Sequence, residues 1–167
     1  MHTQANAFNS DAFNNNHNHQ KCVSAALTSA RALCRDRGQR LTPVRELVLR
    51  LVWQSHQPLG AYELLPQLAE AGFNSAPPTV YRALDFLQEL GLIHRIASMN
   101  AFIGCSHPDE AHPNAFMICR ECKSAAELDT AELNSALSAA AATLGFQVEQ
   151  ESVELIGLCQ HCQESAK

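Results

Sequence analysis

The chain reads Cys119-Arg120-Glu121-Cys122 and, closer to its C-terminus, Cys159-Gln160-His161-Cys162. Four thiolates from two tight turns match the tetrahedral, sulfur-rich coordination of structural zinc. The pattern therefore predicts a structural zinc site made of the four cysteines of the two motifs. The 36 residues between the motifs are enough for a strand, a helix and a returning strand. One metal ion would join both ends of a small domain.

A redox dithiol or a pair of disulfides is the alternative interpretation of these motifs. The chain has seven cysteines, an odd number, and its N-terminus does not resemble a secretory signal. It also lacks any run near the roughly 18 apolar residues of a membrane span. These features favour reduced cysteines and a cytoplasmic protein.

Residues 115–167 predict a small α/β domain around the two motifs. Apolar runs at 115–118 and 124–128 flank the first motif, residues 130–144 form an alanine-rich helix, and residues 146–156 alternate as a strand does. Such short elements bury little area in one chain. We therefore expect zinc and a partner subunit to stabilise this domain as a homodimer.

Charge divides the chain into two unlike parts. Residues 21–95 carry nine Lys/Arg against six Asp/Glu, whereas residues 96–167 carry three against ten. A basic first half in a protein of net charge −5 suggests that a polyanion contacts that half alone. An ordinary solvated surface is the alternative, because the excess is modest.

The first half predicts a disordered tail followed by three helices. Residues 1–20 are rich in Asn and poor in apolar residues. Apolar residues then recur at helical spacing from 22 to 37, with Gly38 as the stop. Thr42-Pro43 caps a second helix, and residues 61–71 form a third.

A fourth helix and a hairpin complete a winged helix-turn-helix domain over residues 21–104. Pro77-Pro78 opens the helix, and its N-terminal end carries polar groups suited to DNA, namely Thr79, Tyr81 and Arg82. Two β-like runs, 92–96 and 100–104, then form the wing. The following segment, 105–114, is polar and contains two prolines, which predicts a hinge. The fold class is therefore α+β.

Arg82 is the strongest candidate for reading a base. Its guanidinium could donate two hydrogen bonds to a guanine edge in the major groove. Tyr81 and Tyr62 are weaker candidates for contacts with a thymine methyl group or a phosphate. A surface ion pair with Asp85 or Glu89 is the alternative role of Arg82.

Residues 40–45 (RLTPVR), residues 78–84 (PTVYRAL) and the two cysteine motifs together resemble the ferric-uptake-regulator family. The resemblance covers about residues 22–163 and is greatest to the zinc uptake branch. It implies a homodimeric bacterial repressor whose winged helices read a palindromic DNA operator. It also implies a second, regulatory metal site between the two domains.

Carried over residue by residue, that regulatory site would consist of His94, Cys105, His112 and Glu127. One thiolate, two imidazoles and one carboxylate suit tetrahedral zinc. The resemblance thus implies two zinc ions per chain. The alternatives are a surface histidine, a buried thiol and a solvated carboxylate, and His107 could replace His112.

One departure from the iron-sensing relatives favours zinc as the sensed ion. Those proteins carry a His-His-Asp-His run ahead of the first cysteine motif, where this chain has Ala111-His112-Pro113-Asn114. No histidine occurs between residues 113 and 160 either.

The leading hypothesis is a zinc-dependent repressor of zinc uptake genes, with a regulator of iron or another metal as the alternative in the same family. An enzyme would use Cys105 as a nucleophile with His107 or His112 as its base. The sequence shows no phosphate loop or nucleophile elbow for such a role. A zinc-ribbon interaction protein is the third hypothesis, and the basic helix-turn-helix half argues against it.

Overall fold

The computed structural model describes residues 13, 18–108, 114–128 and 131–165. In this part of the chain, helices and strands occur in the order that the sequence predicts, with one extra strand and one extra helix. The helices are α1 (His19–Asp36), α2 (Pro43–Val52), α3 (Ala61–Glu70), α4 (Pro77–Glu89), α5 (Ala131–Thr143) and α6 (Gln160–Ser165). The strands are β1 (Leu59–Gly60), β2 (Ile93–Ile96), β3 (Ala101–Gly104), β4 (Asn114–Cys119), β5 (Ala125–Glu127) and β6 (Ser152–Gly157).

Capping residues set the starts of the first two helices. Asn18 accepts a hydrogen bond from the backbone amide of Gln20, so α1 begins at His19 and the last two residues of the predicted tail are helical. The rest of the tail lies outside the described residues, apart from position 13 and Asn18 itself. Thr42 caps α2 as predicted, with Pro43 at its first position. The cap of α1 was missed because the asparagine-rich composition outweighed this local signal.

The winged-helix half packs around one apolar core. Helices α1 to α4 contribute the buried residues, and the antiparallel sheet β1-β3-β2 closes one side. Strand β1 is only two residues long and pairs with β3 at Leu59↔Phe102. A 3-10 turn at Ala97–Met99 joins β2 to β3, and Asn100 leaves the turn in the left-handed conformation (φ 46°). For that reason β3 begins at Ala101 and not at the predicted Asn100.

The C-terminal half is a three-stranded sheet of order β5-β4-β6 with helix α5 in its connection. Strand β4 runs antiparallel to β5 and parallel to β6, and it begins at Asn114, the last residue of the predicted hinge. The predicted strand 146–156 is wrong in its first half. Ser152 already pairs with Asn114, the first residue of β4, so the preceding residues have no paired strand within the described chain. The short helix α6 begins inside the second cysteine motif, at Gln160, and the sequence does not predict it.

The two halves share a second apolar cluster, which we call the interface cluster. The wing supplies Ile96 and Ile103, and Met99 packs against them, while the C-terminal sheet supplies Phe116, Ile118 and Ala125. Burial of these side chains joins the wing hairpin to the sheet through the hydrophobic effect. The wing is therefore part of the domain interface.

Much of the remaining apolar surface of the C-terminal half is uncovered in one chain. Helix α5 has no buried residue, and Leu144, Phe146, Leu155 and Ile156 are each at least half exposed. A surface of this kind normally meets another protein. Within the described residues, no helix is long and apolar enough to span a bilayer.

We predict that Gly104→Ala destabilises the protein by roughly 1–3 kcal/mol, the usual effect of an added methyl group in a full core. A Cβ at Gly104 would overlap the indole of Trp53, a rigid ring on the C-cap of α2. Urea unfolding followed by circular dichroism measures the change. Gly157→Ala is the matched control, because a Cβ there meets no described atom within 4 Å. Equal stability of the two variants would contradict the packing of Trp53 on β3.

Candidate metal centres

The four cysteines of the two motifs converge in one cluster, which we call the four-cysteine cluster. The sulfur atoms of Cys119, Cys122, Cys159 and Cys162 all lie within 4.8 Å of one another. Cys122 Sγ and Cys159 Sγ are 3.8 Å apart. Four sulfurs around a zinc ion at about 2.3 Å would be separated by about 3.8 Å. The donors and their spacing fit tetrahedral zinc.

The environment of these thiols favours one thiolate and opposes further ones. Burial alone would raise the pKa of Cys119, but backbone N–H groups of Cys159, Cys122 and Glu121 outweigh it and lower the pKa to about 6. Hydrogen bonding to Cys159, followed by burial, raises the pKa of Cys162 to about 12. Burial also raises the pKa of Cys159. Like charges this close need a cation to coexist, which is the condition that a divalent metal satisfies.

A second cluster, the hinge cluster, joins the two halves of the chain. It contains His94 from β2, Cys105 just after β3, and Glu127 from β5, with one donor atom of each within 4.8 Å of the others. His94 Nε2 lies 2.9 Å from Glu127 Oε1, and both side chains are almost buried, at 12% and 11% exposure. Cys105 is 4% exposed. The donor set suits zinc, because it combines one soft sulfur with nitrogen and oxygen.

Contacts around the hinge cluster orient two of its three side chains, those of His94 and Glu127. The second carboxylate oxygen of Glu127 accepts a hydrogen bond from the backbone amide of Ser106 at 3.0 Å. The ring of His94 packs against Phe116 of the interface cluster at 5.5 Å between centroids. Such surrounding contacts fix the direction of metal ligands and tune their basicity.

The fourth implied ligand, His112, lies outside the described residues. Three of the four implied residues are therefore brought together, and the position of His112 stays a prediction. His107, the suggested substitute, is described, but it is not among the residues that form the hinge cluster.

A further contact between the halves lies beside the four-cysteine cluster. The Gln57 side chain donates a hydrogen bond to the carbonyl of Cys122 at 2.8 Å, and the amide of Ala125 donates to the carbonyl of His56 at 2.9 Å. The sequence offered no signal for these contacts, since they involve backbone atoms and a loop glutamine. They connect the loop after α2 to the first cysteine motif.

The residues predicted to contact DNA lie on helices α3 and α4. Arg82 is exposed, and no ion pair within the described residues joins it to Asp85 or Glu89. Tyr62 is 69% exposed and Tyr81 is 39% exposed. Thr79 is half-buried at the start of α4.

Not every arginine of the basic half is available to a ligand. The guanidinium of Arg45 stacks on the ring of Phe86 at 3.5 Å and donates a hydrogen bond to the carbonyl of Arg40 at 2.6 Å. Arg31 pairs with Glu46 at 2.7 Å. Arg45 therefore fixes the loop before α2 onto α4.

These features define a winged helix-turn-helix protein whose second domain carries the four-cysteine cluster and whose two halves share the hinge cluster, both compatible with a metal ion. Residues 36–156 match the Ferric uptake regulator family, and the chain belongs to that family. It is 39% identical to the zinc uptake regulation protein of Escherichia coli K12 over 83% of this chain and 81% of that protein. It is 25% identical to the peroxide-responsive repressor PerR of Staphylococcus aureus over 85% and 95% of the two chains.

Solved structures agree with this assignment. A zinc uptake regulator complexed with zinc and DNA superimposes with a TM-score of 0.82 and 37% identity, over 86% of this chain and 97% of that one. The holo form of XcZur gives a TM-score of 0.76 and 46% identity, over 83% and 96%. The predicted α+β fold, a winged helix-turn-helix domain followed by a small domain with clustered cysteines, is thus confirmed.

We predict that Cys119→Ser releases one tightly bound zinc and unfolds the C-terminal half, because binding free energy of about 10 kcal/mol or more is folding free energy in such sites. Metal content after dialysis and thermal unfolding measure both effects. Cys34→Ser is the matched control, since Cys34 is also buried but lies in the core of the winged-helix half. A Cys119→Ser protein with unchanged zinc content and unfolding would exclude the structural role of the cluster.

Proposed function

We propose that this protein is a zinc-responsive transcriptional repressor. As a homodimer with zinc in the hinge cluster, it binds a palindromic operator and controls genes for zinc uptake. The observation that carries the proposal is the hinge cluster itself, in which His94 of the wing meets Glu127 of the C-terminal sheet at 2.9 Å. Similarity to a zinc uptake regulation protein, and to a zinc uptake regulator complexed with zinc and DNA, supports the proposal.

The hinge cluster can act as a switch because its ligands belong to parts that can separate. His94 moves with the wing, Glu127 moves with the second sheet, and Cys105 lies between them. A divalent zinc ion bound there attracts all of these ligands at once. A ligand that binds only the closed arrangement shifts the population toward it, and coupling of about 1–3 kcal/mol is typical of such regulation.

The four-cysteine cluster serves a different purpose in this proposal. Its ligands all belong to the C-terminal half. Cys119 ends β4 and Cys122 lies in the turn that follows, while Cys159 follows β6 and Cys162 lies in α6. Releasing a metal from it would disrupt that sheet, so it contributes stability and no regulation. Each chain then holds two zinc ions with different exchange rates.

Zinc is favoured over iron or manganese by the thiolate of Cys105. A regulator that senses iron or another metal remains the alternative within the family, and the missing His-His-Asp-His run argues against it. The count of two zinc ions is also part of this proposal.

Dimerisation is supported by the exposed apolar side chains of α5 and β6. A second copy that covers Leu155, Ile156 and their neighbours would bury area that one chain cannot bury alone. In winged-helix dimers the spacing of the two recognition helices sets the spacing of the operator half-sites. The closed arrangement of the hinge would fix that spacing. Such a protein acts in the cytoplasm, where bacterial DNA lies.

We propose no catalytic role for Cys105. Histidine and glutamate lie beside it, as in a nucleophilic site, but in this proposal both are ligands of the hinge zinc, and Cys105 itself is only 4% exposed. A zinc-ribbon module without DNA binding is disfavoured by the exposed Arg82 and Tyr62 on the winged-helix half.

We predict that Cys105→Ser and His94→Ala abolish zinc-stimulated operator binding but leave a folded dimer with its structural zinc. Each change removes one ligand of the hinge cluster and none of the four-cysteine cluster. Affinity for DNA is measured in zinc buffers that run from scarce to abundant, with an operator selected from a random-sequence pool by the wild-type protein. Metal stoichiometry is measured on the same samples.

Cys22→Ser is the matched control for Cys105→Ser. Cys22 lines the same cavity of about 260 Å³ as Cys105 but belongs to α1. It should keep the wild-type response. If the Cys105→Ser protein keeps the full zinc response, the zinc-sensing site is not the hinge cluster and lies elsewhere in the chain.

We predict that Arg82→Ala weakens operator binding by about 1–3 kcal/mol and relaxes the preference for one base, which is the effect of losing a bidentate contact. Arg82→Lys should also lose the preference but keep part of the affinity, because the charge remains. Arg120→Ala, which removes an exposed arginine from the C-terminal half, is the control. Unchanged affinity and sequence preference for Arg82→Ala would refute the role of α4.

A further inference from the structure

Glu154 of β6 makes a contact between the halves that neither metal cluster uses. Its Oε1 accepts a hydrogen bond from the backbone amide of Ala97 at 2.7 Å, and both of its oxygens lie 3.3 Å from the amide nitrogen of Ser98. Ala97 and Ser98 open the 3-10 turn at the tip of the wing. A carboxylate of the C-terminal sheet therefore binds the tip of the winged-helix hairpin.

The turn at the wing tip has no capping side chain of its own. Its N-cap position is Ile96, which offers no acceptor, so the first amides of the turn depend on an acceptor from elsewhere. On the other side, Arg95 Nη2 donates to the side-chain oxygen of Asn100 at 2.7 Å and closes the hairpin. The hydrogen bond between Arg95 and Asn100 thus holds the hairpin together from within the wing. Glu154, from the C-terminal sheet, supplies the cap that the turn lacks.

Glu154 acts on the same hairpin as the hinge cluster. In the parallel pairing of β4 with β6, Glu154 lies in register with Phe116, which packs against the ring of His94. His94 precedes the capped amide of Ala97 by three residues, along one short strand. The hydrogen bond from the Ser98 side chain is the largest influence on Glu154 and lowers its pKa, and the backbone amides of Ser98 and Ala97 add to this effect, which outweighs burial. Glu154 is therefore an anionic acceptor at neutral pH.

We propose that Glu154 is a positioning residue for the metal response. By capping the wing turn, it holds β2 where His94 reaches Cys105 and Glu127. The proposal rests on the proposed function, because it says that Glu154 helps to stabilise the closed arrangement of the hinge to which zinc binds. When a binding-competent arrangement is less populated, apparent affinity falls in proportion. Removing Glu154 therefore weakens zinc binding at the hinge cluster without removing a ligand.

The test compares wild type, Glu154→Ala and Glu151→Gln. Glu151 precedes β6 and is the control for loss of one carboxylate from this segment. Hinge zinc affinity is measured by competition with a chelator, on proteins whose structural zinc is already bound. We expect Glu154→Ala to weaken it by about tenfold, in line with hydrogen bonds to a charged group. Glu151→Gln should match wild type.

Two further readouts separate positioning from general stability. Structural zinc content and the dimer should be the same in all three proteins, and saturating zinc should restore binding of Glu154→Ala to the selected operator. Hydrogen exchange at the amides of Ala97 and Ser98 should become faster in Glu154→Ala alone. Adding Ser98→Ala to Glu154→Ala should change hinge affinity little, because the Ser98 side chain has already lost the Glu154 carboxylate as its partner.

The outcomes distinguish this proposal from the proposed function. If DNA binding by the wild-type protein does not depend on zinc concentration, the proposed function is wrong. A zinc-responsive wild type with equal hinge affinity in Glu154→Ala would overturn the role of Glu154 alone. An equal loss of hinge zinc affinity in Glu154→Ala and Glu151→Gln would also overturn that role, because the loss of one negative charge would then explain the effect.

Discussion

The contact between His94 and Glu127 is the interaction on which the arrangement of the two halves depends. One residue belongs to the wing and the other to the C-terminal sheet, and their 2.9 Å approach lies beside the buried thiol of Cys105. Around it, the interface cluster supplies apolar contact that is indifferent to metal. The hinge cluster is the part of this interface that can respond to a metal ion. A thiolate and a carboxylate held close together repel each other unless a cation lies between them.

The C-terminal half explains why one protein would use two metal sites of different composition. Its sheet has three strands, and its helix buries nothing within one chain. In the proposed function, stability comes from zinc in the four-cysteine cluster and from a second copy on the exposed apolar face. A metal that maintains the fold cannot also report on supply. The proposal therefore places the regulatory ion in the hinge cluster, whose ligands can separate without unfolding the C-terminal half.

Helices α1 to α5 could be predicted from the sequence, although the N-cap of α1 and the short helix α6 could not. Contacts between elements were not accessible in this way. Thr42-Pro43 and Gly38 mark helix ends through local chemistry, and the cysteine spacing predicts the four members of one cluster. No spacing connects His94 with Glu127, and only the family resemblance brought them together. Strand β1 and the limits of β6 depend on partners distant in sequence, and Glu154 meets the wing through sheet register, which no local pattern encodes.

The most direct measurement follows zinc at the hinge cluster and DNA binding in the same wild-type sample. Trp53 is the single tryptophan of the sequence, and it packs on Gly104 beside Cys105. Its emission should report closure of the hinge as buffered zinc rises. The account predicts that the change in emission and the gain in operator affinity share one midpoint, while structural zinc stays bound throughout. Operator binding that is complete before the hinge takes up zinc would contradict it.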